Sequence, residues 1–388
     1  MKRHVEISGG GLCGLTAGLA FAQRGWSVRV HEEDTALRIP GAGIYIWENG
    51  LRILESLGVY DRIIDGAIAA TRREMRDFDG RVFAAADFTQ TDRLYVPLRR
   101  TLLTALHDAL IAAGGEIVFN SRVIGAAPEG RILLADGGSA SADLVIAADG
   151  INSRIRDGLG LLLWRRPARQ HGFRSMIKRR PEDLTSAAGK THAEHWHGSR
   201  RLLYAPCTAD DAYVQLTSVA GDPAGNAVPI DRGFWLSLFP HLAWIIERLP
   251  KTGHSDWFSR VSLRAWHKGR VVILGDAASA QPPFLGQGGG CAMMGALSLA
   301  HAIETIGDID RAINEWEVRE KPFTERVQRV AYNYGQFAFT PPPVRRLFFS
   351  TISHSAWAQR HTILVASTRI TPGTQRATAP ARQFSAAA

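Results

Sequence analysis

The N-terminal stretch restricts the possible folds more than any other part of the chain. "HVEIS", residues 4–8, reads as a short buried strand, and "GGGLCG" follows without a spacer. A helix then puts Leu15, Gly18, Leu19 and Ala22 on one stripe, Gly25 stops it, and "SVRVHE" alternates as a second strand. Two strands joined through a helix lie parallel, which predicts an α/β sheet.

Gly9, Gly11 and Gly14 fit G-x-G-x-x-G at the strand–helix junction. In such a loop the first glycine allows the tight turn, the second lets backbone approach a pyrophosphate, and the third lets helix and strand pack closely. An anion is favoured there by free N–H groups and the helix dipole. Glu32, at the end of the second strand, stands where a carboxylate can accept ribose hydroxyls. This much predicts a dinucleotide and leaves FAD and NAD undecided.

Two remote segments extend the site. "ADLVIAADGINSRIR" puts Asp149 and Gly150 directly after a buried strand. "ILGDAASAQPPFLGQGGGC", residues 273–291, puts Asp276 at another strand tip, ahead of two prolines and a glycine-rich helix start. Singly, each is a cap or a turn. Together they predict one elongated site for a dinucleotide whose second half is large and redox-active.

This set of motifs resembles the group A FAD-dependent aromatic hydroxylases, the p-hydroxybenzoate hydroxylase-like family. The likeness runs to about residue 335, and is nearest to the branch that oxygenates 2-methyl-3-hydroxypyridine-5-carboxylate and related pyridines. It implies an α/β fold in which a Rossmann-like FAD-binding domain is interrupted by a mostly antiparallel substrate sheet. The cofactor contacts it implies are Gly9, Gly11, Leu12, Cys13, Gly14, Glu32, Glu33, Arg38, Ala42, Gly43, Arg99, Val123, Asp149, Gly150, Asp276, Pro283, Gly286, Gln287, Gly288 and Gly289. Ser279 departs from the pattern, because the family usually carries histidine there.

On the substrate side the resemblance implies Arg201, Tyr213 and Tyr45, with Arg73 near a position where that branch has a tyrosine. A guanidinium can hold a carboxylate or ring oxygen in bidentate fashion. His192, His195 and His197 in "HAEHWH" look like metal ligands, but no carboxylate or cysteine pattern completes a set, so His195 is expected to line the substrate pocket and no metal is expected. The implied reaction is NAD(P)H-dependent, with NADH favoured. Through a flavin C4a-hydroperoxide, O2 hydroxylates a hydroxylated pyridine acid, ring opening or side-chain loss being left open. Hydroxybenzoate-type hydroxylation and non-hydroxylating flavin reduction stand as alternatives, whereas a halogenase would show a W-x-W-x-I-P segment that is absent.

The expected layout is discontinuous. Residues 1–70, 94–170 and 265–335 form the FAD domain, 71–93 and 171–264 the substrate sheet, 336–370 a helical segment and 371–388 a disordered tail. The net charge of +9 comes from dispersed arginines without a basic stripe or tail, which argues for anionic small ligands rather than nucleic acid. Three scattered cysteines make no disulfide framework. With no membrane-length apolar run and no room for a signal peptide, the expectation is a cytoplasmic monomer or homodimer.

Overall fold

The computed structural model describes residues 2–37 and 43–374, so Arg38 and Ala42 lie outside the described residues. The central sheet has five parallel strands, Val271–Ile273, Leu144–Ala147, His4–Ser8, Ser27–His31 and Glu116–Val118, in that spatial order. His267–Lys268 adds an antiparallel edge beside Val271–Ile273. The α/β, Rossmann-like architecture is therefore present. The helix Leu12–Ala22 shows no polar face, and ten of its eleven residues are buried. It is enclosed between the sheet and the helix Gly288–Ile306, hence the weak stripe in its sequence.

Residues 131–147 form three strands. Arg131–Leu134 and Ser139–Ser141 pair as a hairpin, and Leu144–Ala147 leaves for the parallel sheet.

A second, seven-stranded sheet runs His254–Leu263, Leu162–Lys178, Asp211–Val219, Arg200–Pro206, Thr191–His197, Arg72–Asp77, Val82–Asp87. One pairing in it, Thr191–His197 with Arg72–Asp77, is parallel; the others are antiparallel. Its longest strand starts at Leu162, ahead of the boundary read near residue 170, and shifts register between Pro167 and His171. Phe173, Leu202, Tyr204, Val214 and Leu216 on one face pack under Trp235, Phe239, Leu242, Ile245 and Ile246. The opposite face looks toward the parallel α/β unit. With period 2 along each strand, this sandwich decides which side chains can reach a ligand.

At the C-terminus, Ile309–Gln336 is one long helix, followed by helices Pro342–Ser353 and Ala356–His361. Thr371 is buried and Gly373 packs on His301, so the first residues of the segment read as a tail are packed, and 375–388 lie outside the described residues. No helix among the described residues is long and apolar enough to cross a membrane.

Candidate active site

A cavity of about 780 Å³ runs from the glycine loop to the inner face of the second sheet. At the loop end, Gly9 has φ +105°, and a Cβ on Gly14 would stand 1.9 Å from the Gly9 carbonyl oxygen. Only hydrogen allows that approach. Gly11 differs, because a Cβ there would meet nothing within 4 Å. It borders open cavity beside the first helical N–H groups. The Glu32 carboxylate accepts from the backbone N–H groups of Gly10 at 2.9 Å and Asp34 at 3.1 Å, which fixes it at the end of its strand.

Three chain segments meet further along. Asp149 accepts from the Arg154 N–H at 3.1 Å, while its Oδ1 is buried without a partner. Burial raises its pKa, against several backbone hydrogen bonds that lower it. Asp276 is also raised by burial, with Arg174 and Arg99 opposing. Arg156, to which the sequence reading assigns no role, ties these two motifs together. Its buried guanidinium donates to the carbonyls of Ile151 at 3.0 Å and Ala277 at 3.1 Å. Gly286 has φ +61°, and a Cβ there would also strike the Tyr45 side chain at 2.7 Å. Gly288 and Gly289 open the next helix toward the cavity.

These residues fit a flavin dinucleotide. Gly11 and Gly288 leave bare backbone at two helix N-termini, Glu32 stands at the ribose position, and the orphaned Asp149 oxygen needs a donor. Of the expected cofactor contacts, Gly14 and Gln287 do not line the cavity. Gly14 acts through packing. The Gln287 side chain turns aside to accept from Asn49 Nδ2 at 3.3 Å. Ser279 is buried and its hydroxyl turns back to the Gly275 carbonyl at 3.4 Å.

The substrate wall is the inner face of the second sheet. Register pairing aligns Arg73 with His192, then Glu194 with Leu203, Gln215 and Arg174, then Trp196 with Arg201 and Thr217. Arg201 lines the cavity but is not a free anchor. Its Nε donates to Glu194 Oε2 at 2.7 Å, both residues are buried, and Arg201 Nη1 has no partner. Tyr334, from the long C-terminal helix, donates to the same carboxylate oxygen at 3.1 Å. The Tyr213 hydroxyl donates to Gln215 Oε1 at 3.1 Å, and Gln215 to Thr217 at 3.3 Å. Tyr45 stands edge-on to His192 with ring centroids 5.4 Å apart. Neither the Tyr45 hydroxyl nor either His192 nitrogen has a partner. Burial, with Arg73 nearby, lowers the His192 pKa to about 3.

His195 is a correction. Odd-numbered residues of its strand face the covering helices, so His195 bonds His241 across 3.1 Å and does not line the cavity. The ligand-facing members of "HAEHWH" are His192 and Glu194. Strand parity could have shown that they share a face, but not which face is inner. Among the described residues no group of three His, Cys, Asp or Glu could hold a metal ion.

The FAD binding domain family model matches residues 2–306, and the chain belongs to that family as an FAD-dependent monooxygenase. It is 39% identical, over 91% of its length and 93% of the other, to a Rhodococcus erythropolis protein ascribed 2-heptyl-3-hydroxy-4(1H)-quinolone synthase activity. Identity is 37% to the Mycobacteroides abscessus 2-heptyl-3-hydroxy-4(1H)-quinolone synthase, covering 91% of this chain and 95% of that one. Among solved structures, a 2-methyl-3-hydroxypyridine-5-carboxylic acid oxygenase mutant superposes with a TM-score of 0.85 at 33% identity, covering 96% and 98% of the two chains.

Proposed function

We propose that this enzyme adds one oxygen atom of O2 to an electron-rich nitrogen heteroaromatic of the 4-quinolone or hydroxypyridine class, at the carbon beside the ring oxygen, with NADH as reductant. One observation carries the reading: on the inner sheet face a buried carboxylate, Glu194, held by Arg201 Nε at 2.7 Å, shares the cavity with the guanidinium of Arg73. A 4-quinolone is a vinylogous amide with an N–H donor at one end and an oxygen acceptor at the other. The quinolone-named relatives at 37% and 39% identity support the same class.

Bound FAD, reduced by NADH, would supply the chemistry that activates O2. Asp276 and Asp149 would hold its polar middle, and the glycine helix N-termini its phosphates and ring edge. The chain's own residues do the positioning. Arg73, Tyr45, Tyr213, Gln215, Trp47, Phe284 and Ile363 all line the cavity; Arg73 and Tyr45 would border the ring's oxygen side, Tyr213 and Gln215 would support its face, and Trp47, Phe284 and Ile363 would exclude water.

A second reading, a hydroxypyridine carboxylic acid, is favoured by Arg73. This guanidinium lines the cavity and makes no ion pair among the described residues. The test is NADH oxidation under air with 2-alkyl-4-quinolones, hydroxypyridine carboxylates and hydroxybenzoates, with product mass recorded. Stimulation with a gain of one oxygen on the quinolone is expected. Stimulation by carboxylates alone would establish the second reading, and none by any ring would overturn both.

A further inference from the structure

The Arg201–Glu194–Tyr334 cluster has more structure than positioning an arginine requires. Glu194 Oε2 takes both hydrogen bonds, from Arg201 Nε at 2.7 Å and Tyr334 at 3.1 Å. Oε1 accepts none among the described residues, yet it is not among the buried oxygens lacking a partner, so it borders the cavity that Glu194 lines. The carboxylate is held from behind. Arg201 lies between the Phe284 and Trp196 rings, 5.4 and 5.8 Å from their centroids, and Tyr334 stacks on Phe284 with centroids 6.1 Å apart. Glu194 therefore cannot swing away from the cavity without breaking a packed group.

We propose that Glu194 is a specificity-determining residue whose cavity-facing oxygen accepts the ring N–H of the substrate and excludes ring carboxylates from that end of the site. The inference deepens the functional reading above and rests on it for the ring class. An ionised carboxylate offers only acceptor sites, so it takes a donor and repels an anion. Its negative charge also offsets the positive charge of Arg201, which leaves Arg73 on the neighbouring strand to meet a ring oxygen. Tyr334 is a positioning residue, because it acts on the substrate through Glu194.

The test measures binding, by the change in visible absorbance of the FAD-loaded protein. The ligands are 2-methyl-4-quinolone, its N-methyl analogue and 4-hydroxyquinoline-2-carboxylate. In the parent protein the N–H quinolone should bind at least tenfold tighter than the N-methyl compound. In Glu194→Gln that ratio should shrink severalfold and the carboxylate should bind at least tenfold tighter. Tyr334→Phe removes a hydroxyl but no charge, so the ligand ranking should persist with all affinities modestly reduced. The Tyr334→Phe comparison stands even where Glu194→Gln fails to load FAD: a reversed ranking in it overturns the proposal. So does an equal shift of all three ligands in Glu194→Gln, or no spectral response to any of them. Turnover is scored separately, so binding selectivity without hydroxylation sinks the functional reading and not this one.

Discussion

Two glycines of one loop separate folding from binding at the residue scale. Gly14→Ala puts a methyl 1.9 Å from backbone oxygen, so the strand and helix must part. The expected result is a thermally destabilised, colourless protein. Gly11→Ala meets nothing within 4 Å and sits at φ −78°, so the fold should keep its melting temperature while FAD affinity falls at least tenfold. Paired melting and flavin titration check both. His195 makes a different prediction. Burial, with His241 and Arg76 nearby, lowers its pKa to about 3 from 6.5. The unfolded chain thus binds a proton below pH ~6.5 that the folded one refuses, so stability falls as pH falls, by about 1.4 kcal/mol per pH unit per such histidine. His195→Gln should flatten the slope of stability against pH between about 6 and 4 by nearly one proton. An unchanged slope would mean that His195 is protonated in the native state.

The decisive property at the scale of elements is that the second sheet is covered on both faces. The strand Thr191–His197 is buried at six of its seven positions, so its hydropathy does not alternate and its inner side cannot be read from sequence. Helices Arg232–Leu238 and Ala243–Ile246 supply the outer cover, with Trp235 stacked on Phe239. Trp235→Ala should destabilise by about 3–5 kcal/mol. Because Trp235 lies across the sheet from the cavity, FAD loading at low denaturant should persist. A urea titration followed by flavin fluorescence and by circular dichroism would show the substrate sheet melting first. The long helix Ile309–Gln336 delivers Tyr334 to Glu194, 140 residues away in sequence, and no local signal marks that contact.

Across the whole molecule, the cavity is assembled from segments that are remote in sequence, and its ligand should act as a cross-link. FAD at about 100 times its Kd is expected to stabilise by about 2.7 kcal/mol. Asp276→Ala should abolish most of that gain while the melting temperature of the flavin-free protein changes little. Thermal unfolding with and without FAD decides it. A protein whose stability ignores FAD would contradict the convergence of Gly11, Asp149 and Asp276 on one channel.

Sequence alone determined the strand–loop–helix units and the glycine and acid motifs at their junctions. These depend on local rules: periodicity, glycine's missing Cβ, and a carboxylate at a strand tip. Tertiary structure decided what each polar group faces. It turned His195 outward, paired Arg201 with Glu194, and used Arg156 to bind two motifs together. Those outcomes depend on which face of a doubly covered sheet meets the cofactor domain and on which remote charge becomes a neighbour. Neither is encoded within a window of consecutive residues.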